Sequence, residues 1–387
     1  MKRSTSRILT THAGSLPRPA DLLELVQARA DGRPHDGNAY VKRVRDAVAD
    51  AVRAQVVHGL DVIGDGEMSK PSFITYVTDR LGGFEPITEP GAPPWAGSKE
   101  VAAFPEFYEP GLRRSPNAAA RRFACTGPVT YRGHAQMQAD IDNLRAALAG
   151  STHEEAFLTA IAPSNVEGRQ PNRYYKTDED YLFAIAEAMR EEYAAIVDAG
   201  LLLQIDDPRL VTYYILSPTS TVAECRRWAE VRVEALNHAL RDIPRERVRF
   251  HTCYSINMGP RVHDMQLEDI VDIILRVKAG AYSFEAANPR HEHEWRVWKD
   301  VKLPEGAVLV PGVITQSTVL VEHPELVAQR IERFASVVGR EHVIAGADCG
   351  FASFAASEEI HPSIVWAKLA ALTEGARLAS ARLWSTR

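Results

Sequence analysis

His251 and Cys253 stand two positions apart in RVRFHTCY, where an apolar run ends. Alternate residues of an extended strand share a face, so the imidazole and the thiol point the same way. Two readings are open at this point: half of a metal site, or a histidine and a cysteine packed at the end of a buried strand. Glu285 in SFEAANPR and Cys349 in GADCGF sit at the same level of two later strand candidates. Together the four residues offer one imidazole, two thiolates and one carboxylate, a donor set that suits tetrahedral Zn2+. Zinc held by two thiolates is a poor activator of water. It is suited to binding an incoming thiol, lowering its pKa and presenting its sulfur as a thiolate nucleophile. The chemistry predicted is alkyl transfer to sulfur, with a small-molecule thiol and an alkyl donor as partners.

The other cysteines and neighbouring histidines read differently. His291 and His293, in NPRHEHEW, lie beyond the strand end and fit a hydrogen-bonded or solvated turn better than a ligand pair. Cys225 falls on the amphipathic stretch TVAECRRWAEVRVEAL as a packed thiol, and Cys125, beside Thr126-Gly127-Pro128, reads as core. Four cysteines in 387 residues are too few for a disulfide framework.

The elements that must position these groups alternate along the chain. Short apolar runs at 7–15, 61–67, 122–130, 201–208, 247–254, 281–288, 308–314 and 342–350 read as strands. Helical periodicity covers 41–58, 178–199, 221–240, 267–279, 324–339 and 362–380. Strand–helix alternation implies a parallel sheet, and eight strands imply a closed (β/α)8 TIM barrel, class α/β. No Gly-x-Gly-x-x-Gly follows the first strand, which argues against an open dinucleotide-binding sheet. Residues 1–387 are expected to form a single barrel domain with insertions near 82–120 and 150–177; AFLTAIAPSN (156–165) is either a ninth strand or part of the second insertion. His12, Asp65, Glu67, Thr126, Asp206, Asp207, His251, Cys253, Glu285, Asp348 and Cys349 all lie at strand C-terminal ends, which in a barrel converge on one face.

Composition narrows the class further. Hydrophobic residues make up 45% of the chain and the net charge is −6, so no basic field points to nucleic acid. No apolar run approaches the roughly 18–20 residues of a membrane span, and the basic N-terminus lacks the apolar segment of a signal peptide. A cytoplasmic location is expected.

With these residues in view, the chain resembles the C-terminal catalytic half of cobalamin-independent methionine synthases. LTTHAGSLPRP, DGEMSKPSF, TGPVT, AGLLLQIDDP, HTCY, the glutamate of SFEA, PGV and DCGF carry the resemblance in order. It implies a zinc-bearing (β/α)8 barrel with His251, Cys253, Glu285 and Cys349 as ligands. It also implies Glu67 and Asp206 near the amine of a homocysteine-like acceptor, and Ala13-Gly14-Ser15 at its carboxylate. His12, Asp65, Asp207 and Ser317 remain candidates for supporting the ligands or for the donor side. Two departures concern the donor: Gln316 or Ser317 stands where the family has a histidine after the PGV strand, and YRGHAQMQAD replaces a tryptophan-containing segment that packs on the pterin. The chain is also similar, through AFLTAIAPSN and FEAANPRHEHEW, to the epoxyalkane:coenzyme M transferase branch, which opens an epoxide with a thiolate. A sulfonate thiol would need cations, for which Arg18, Lys70 and Arg290 are candidates. A metal-free decarboxylase resembling uroporphyrinogen decarboxylase, using Asp206 and Asp207, and a non-catalytic zinc-binding protein are the remaining alternatives.

Overall fold

The computed structural model describes residues 1–89, 95–112, 121–255, 259–355 and 360–385. Its strands, in chain order, are β1 (Leu9–Thr10), β2 (Val62–Gly64), β3 (Leu81–Ile87), β4 (Arg122–Tyr131), β5 (Glu155–Ile161), β6 (Leu202–Asp206), β7 (Val248–His251), β8 (Ala281–Phe284), β9 (Val308–Ile314) and β10 (Ile344–Ala347). Eight of them form one parallel sheet in the order β1-β10-β9-β8-β7-β6-β5-β2. A parallel bridge between Thr11 and Val62 joins the two ends and closes the barrel. The strands β6 to β10 are buried along their whole length. That is why they read as near-continuous apolar runs: core lies on one face and covering helices on the other.

The covering helices begin where the chain supplies caps. The Asp36 side chain accepts from the amides of Asn38 and Ala39 at the head of Gly37–Val57. Thr221 and Glu224 form a reciprocal capping box ahead of Val222–Ala239. With Asp178–Asp198, Pro324–Val338 and Pro362–Leu383, these match the expected periodic segments closely. The segment 267–279 does not: it shortens to single turns at Leu267–Asp269 and Val271–Ile274.

One strand was assigned to the wrong place by sequence. The stretch at 122–130 is not a barrel strand; as β4 it pairs antiparallel with β3 in a separate hairpin. Its burial alternates and its Thr126 is exposed, so Thr126 does not join the barrel face. The third barrel strand is β5, within the stretch expected as an insertion near 150–177. The count of eight was right and the membership was not.

The stretch 82–120 supplies β3 and two short helices, Lys99–Ala103 and Pro105–Leu112; residues 90–94 and 113–120 fall outside the described part. Glu100 on the first helix is fully buried and accepts from the amides of Arg261 and His263, both at 2.9 Å. Lys99 donates to the carbonyls of Pro218 and Ser220. The excursion therefore ties down the loops that follow β6 and β7. Among the described residues no helix is long and apolar enough to cross a membrane.

Candidate metal centre

His251 ends β7 and Cys253 follows two residues on, so strand alternation brings both toward the barrel mouth. In-register Ser283 on β8 contacts His251 Nδ1 at 3.1 Å, which fixes the ring. The opposite nitrogen, Nε2, is buried and makes no hydrogen bond. Cys349, two residues past β10, brings its sulfur to 3.4 Å from that of Cys253. The imidazole nitrogen and the two sulfurs lie within 4.8 Å of one another. Cys253 is buried while Cys349 is partly exposed, so the group opens to one side.

The charges in this cluster lean on one another. The bond to the Cys349 sulfur, aided by His251, holds the Cys253 thiol well below its usual range. The same sulfur–sulfur contact, with burial, pushes Cys349 well above it. Burial would lower His251, but the neighbouring Cys253 sulfur more than offsets this and raises it. A buried imidazole with one unpartnered nitrogen, beside two sulfurs in contact, is a donor set that a soft divalent cation would complete, and zinc fits it.

Glu285 lies outside that three-residue group. Its Oε1 accepts from the Tyr254 amide and its Oε2 from Asn288 Nδ2, both at 2.9 Å. A carboxylate has about four lone-pair sites, so each oxygen keeps capacity for a further partner. Burial, then the Cys253 and Asp348 charges, drives its pKa well up, as expected for a carboxyl next to a thiolate without a cation. Asp348 is fully buried beneath it, accepting from the amides of Ala286 and Ala287 at 2.7 and 2.8 Å and from Asn288 Nδ2 at 3.2 Å. Gly312 on β9 leaves room for this carboxylate: a Cβ there would meet Asp348 Oδ1 at 2.0 Å.

The residues expected around an acceptor also converge. Glu67 adopts φ 58°, a costly conformation for a non-glycine residue. Its amide is held by Asp65 Oδ1 at 2.9 Å and its carbonyl by Arg18 at 2.7 and 3.1 Å. Glu67 Oε1 accepts from Thr159, while Oε2 is buried without a partner. Asp206 accepts from Gln204 Nε2, which also reaches the Ala13 carbonyl. Burial pushes Asp206 up to about 7 and Asp65 to about 6. In the turn Ala13-Gly14-Ser15, Ser15 accepts from the Phe351 amide at its carbonyl and the Ala352 amide at its hydroxyl, joining the turn to the Cys349 loop.

The donor-side candidates separate into supports. His12 Nε2 lies 2.8 Å from Gln55 Oε1 and Nδ1 accepts from the Gly14 amide; burial lowers its pKa to about 3, leaving a neutral ring that braces the turn. Asp207 accepts from Ser164, Asn165 and the Leu210 amide, turned away from Asp206. The two adjacent acids thus do not form the pair that a metal-free decarboxylase would use. Ser317 pairs with the Thr315 hydroxyl in the half-buried loop after β9.

Two of the three cations expected for a sulfonate, Arg18 and Lys70, are engaged elsewhere, whereas Arg290 keeps a buried Nε without a partner. Arg18 is buried against the Glu67 and Ala352 carbonyls, and Lys70 donates to the Thr159 carbonyl and hydroxyl. Arg290 reaches the Val262 carbonyl. His291 is held between Glu294 and Asp264 and stacks on Tyr254 with ring centroids 3.7 Å apart, a packed turn rather than a ligand. Three supports went unread in sequence: Thr159, Ser283 and Arg249. The Arg249 guanidinium lies inside the barrel over the Phe157 ring, donating to Thr11 and to the His12 carbonyl. Correct placement of AFLTAI in the barrel would have put Phe157 and Thr159 on one face by alternation.

Comparison with known proteins bears on the family and the fold. The family profile described as "Cobalamin-independent synthase, Catalytic domain" matches residues 8–99 and 125–371. A protein named methionine synthase from Thermococcus kodakarensis is 26% identical over 344 residues, covering 88% of this chain and 86% of its own. One of the same name from Saccharolobus solfataricus is 24% identical over 372 residues, covering 95% and 94%. The fold is similar to that of a B12-independent methionine synthase from a Shewanella species, solved in complex with selenomethionine, with TM-score 0.71, 19% identity, and coverage of 97% of this chain and 99% of that one.

Proposed function

The chain belongs to the cobalamin-independent synthase catalytic-domain family, and on that premise we propose that it is a zinc-dependent methyltransferase whose acceptor is a homocysteine-like thiol. The observation that carries the proposal is the buried His251, with its Nε2 unpartnered and a ring nitrogen within 4.8 Å of the Cys253 and Cys349 sulfurs, at the barrel mouth. His251, Cys253 and Cys349 would hold the metal, with Glu285 as fourth donor. When bound there, zinc supplies the Lewis acidity that lets an incoming thiol shed its proton near neutral pH.

The protein's own residues then position the acceptor. Glu67 Oε2, which has no partner, and Asp206 face an α-ammonium; the Ala13-Gly14-Ser15 turn, braced by His12, takes the carboxylate. Cys349, the partly exposed member, marks the side from which a donor approaches. In the transfer a carbon–sulfur bond forms as the donor's bond to its methyl breaks, and the thiol proton leaves to solvent. Ser317 offers no imidazole to protonate a leaving pterin, which argues for a donor other than methyltetrahydrofolate. Engagement of Arg18 and Lys70 by backbone carbonyls argues against a sulfonate thiol and so against epoxide opening with coenzyme M.

Metal analysis of the purified protein should give about one zinc per chain. Cys253→Ser combined with Cys349→Ser should abolish it, and retained zinc would refute the site. Calorimetric titration of the zinc-loaded enzyme should show binding of homocysteine in preference to coenzyme M; the reverse order would refute the acceptor.

A further inference from the structure

We infer that Thr159 on β5 is a positioning residue that makes the site selective for thiols carrying an α-ammonium, through a one-way Lys70–Thr159–Glu67 hydrogen-bond chain. The inference rests on the acceptor site proposed above. Lys70 Nζ lies 2.7 Å from the Thr159 carbonyl and 2.8 Å from its Oγ1. An ammonium has three protons and no lone pair, so the hydroxyl can only accept from it. The hydroxyl's own proton must then go to its other partner, Glu67 Oε1, at 2.7 Å. All three side chains are buried, so no solvent reverses this order.

The consequence falls on Glu67. Its Oε1 is satisfied from behind while its Oε2 stays buried with no donor. The backbone cannot swing the carboxylate away, because Asp65 holds its amide and Arg18 its carbonyl. Gly14 presses on the same pair: a Cβ there would meet Thr159 Cγ2 at 2.8 Å and Glu67 Oε1 at 3.2 Å. A fixed, buried carboxylate oxygen without a donor favours a ligand that brings a cationic N–H. A thiol without one would leave that oxygen unpaired, which is a strong basis for rejection.

The test is calorimetry on the zinc-loaded protein with two probes, homocysteine and 4-mercaptobutanoate. The second keeps the thiol and carboxylate and lacks the ammonium. Wild type should prefer homocysteine. Thr159→Val, which keeps the shape and removes the hydroxyl, should weaken homocysteine by about 10- to 100-fold and leave 4-mercaptobutanoate and zinc content unchanged. Thr159→Ser should restore the preference. Lys70→Gln, which keeps Thr159 but offers it an acceptor oxygen, should erode the preference severalfold, and serves if the valine variant folds poorly. Wild-type preference retained in both Thr159→Val and Lys70→Gln, or a failure of serine to restore it, overturns the role of Thr159 while leaving the acceptor site standing. Wild type failing to distinguish the two thiols overturns the acceptor site itself, and this inference with it.

Discussion

Replacing Arg18 by methionine separates two roles that its charge could play. The guanidinium donates to the Glu67 carbonyl through Nε and Nη2 and to the Ala352 carbonyl through Nη1 at 2.8 Å. Methionine keeps the apolar stem and removes all three bonds. The Glu67 carbonyl retains the Lys70 amide at 3.0 Å, so the larger loss falls on Ala352. Hydrogen bonds from a charged donor contribute about 1.5–3 kcal/mol each, and relief of a buried charge, whose pKa is already lowered by desolvation, offsets part of the loss. The expected destabilisation is about 3 kcal/mol, read by urea unfolding. The second effect is on function: with only the Lys70 amide left on its carbonyl, Glu67 is held less firmly at φ 58°, a strain of roughly 1–3 kcal/mol, and its carboxylate is no longer fixed at the acceptor site. Homocysteine affinity should fall about tenfold or more. Arg18→Lys, reaching one carbonyl, should recover about half of the lost stability. If Arg18 were instead a receptor for an anionic ligand, methionine would leave stability within about 0.5 kcal/mol of wild type and weaken coenzyme M selectively. That pair of results would refute the positioning role.

Two further outcomes are expected. Asp207→Ala removes the one carboxylate oxygen, Oδ1, that accepts from Ser164, Asn165 and the Leu210 amide, so it should cost about 1–3 kcal/mol in unfolding without altering homocysteine affinity, if Asp207 is a brace rather than a reacting group. Zinc retention should fall as pH drops, because protons compete for the same donors, and Cys349 is pushed well up by its contact with Cys253 and by burial. Dialysis against a chelator at pH 8 and pH 5.5 with metal analysis checks this; equal retention at both would count against thiolate ligation.

The barrel and the shared strand face of His251 and Cys253 were legible in the sequence because both signals are local. Buried parallel strands are apolar without alternation, and a histidine and cysteine two apart must share a strand face. The same rule explains the strand that was misplaced. RFACTGPVTY alternates, as a half-exposed antiparallel strand does, whereas EAFLTAI is a continuous buried run. Judged by that distinction the second belongs in the barrel, and Thr159 would have come with it. The destinations of Arg18 and Lys70 were not legible, because their partners are backbone carbonyls more than 45 and about 90 positions away, and carbonyls carry no sequence signature. Glu285 illustrates the same limit: its position on the barrel face was readable, its engagement by Tyr254 and Asn288 was not.

Asp348 connects the neighbours of two proposed ligands. It precedes Cys349 in the chain and grips the backbone just after Glu285 through two amides and Asn288. The two ligand-bearing loops are therefore registered to each other by the polypeptide alone. A divalent ion bound by the proposed ligands would thus meet loops whose relative position is set by buried backbone amides and does not depend on the ion alone.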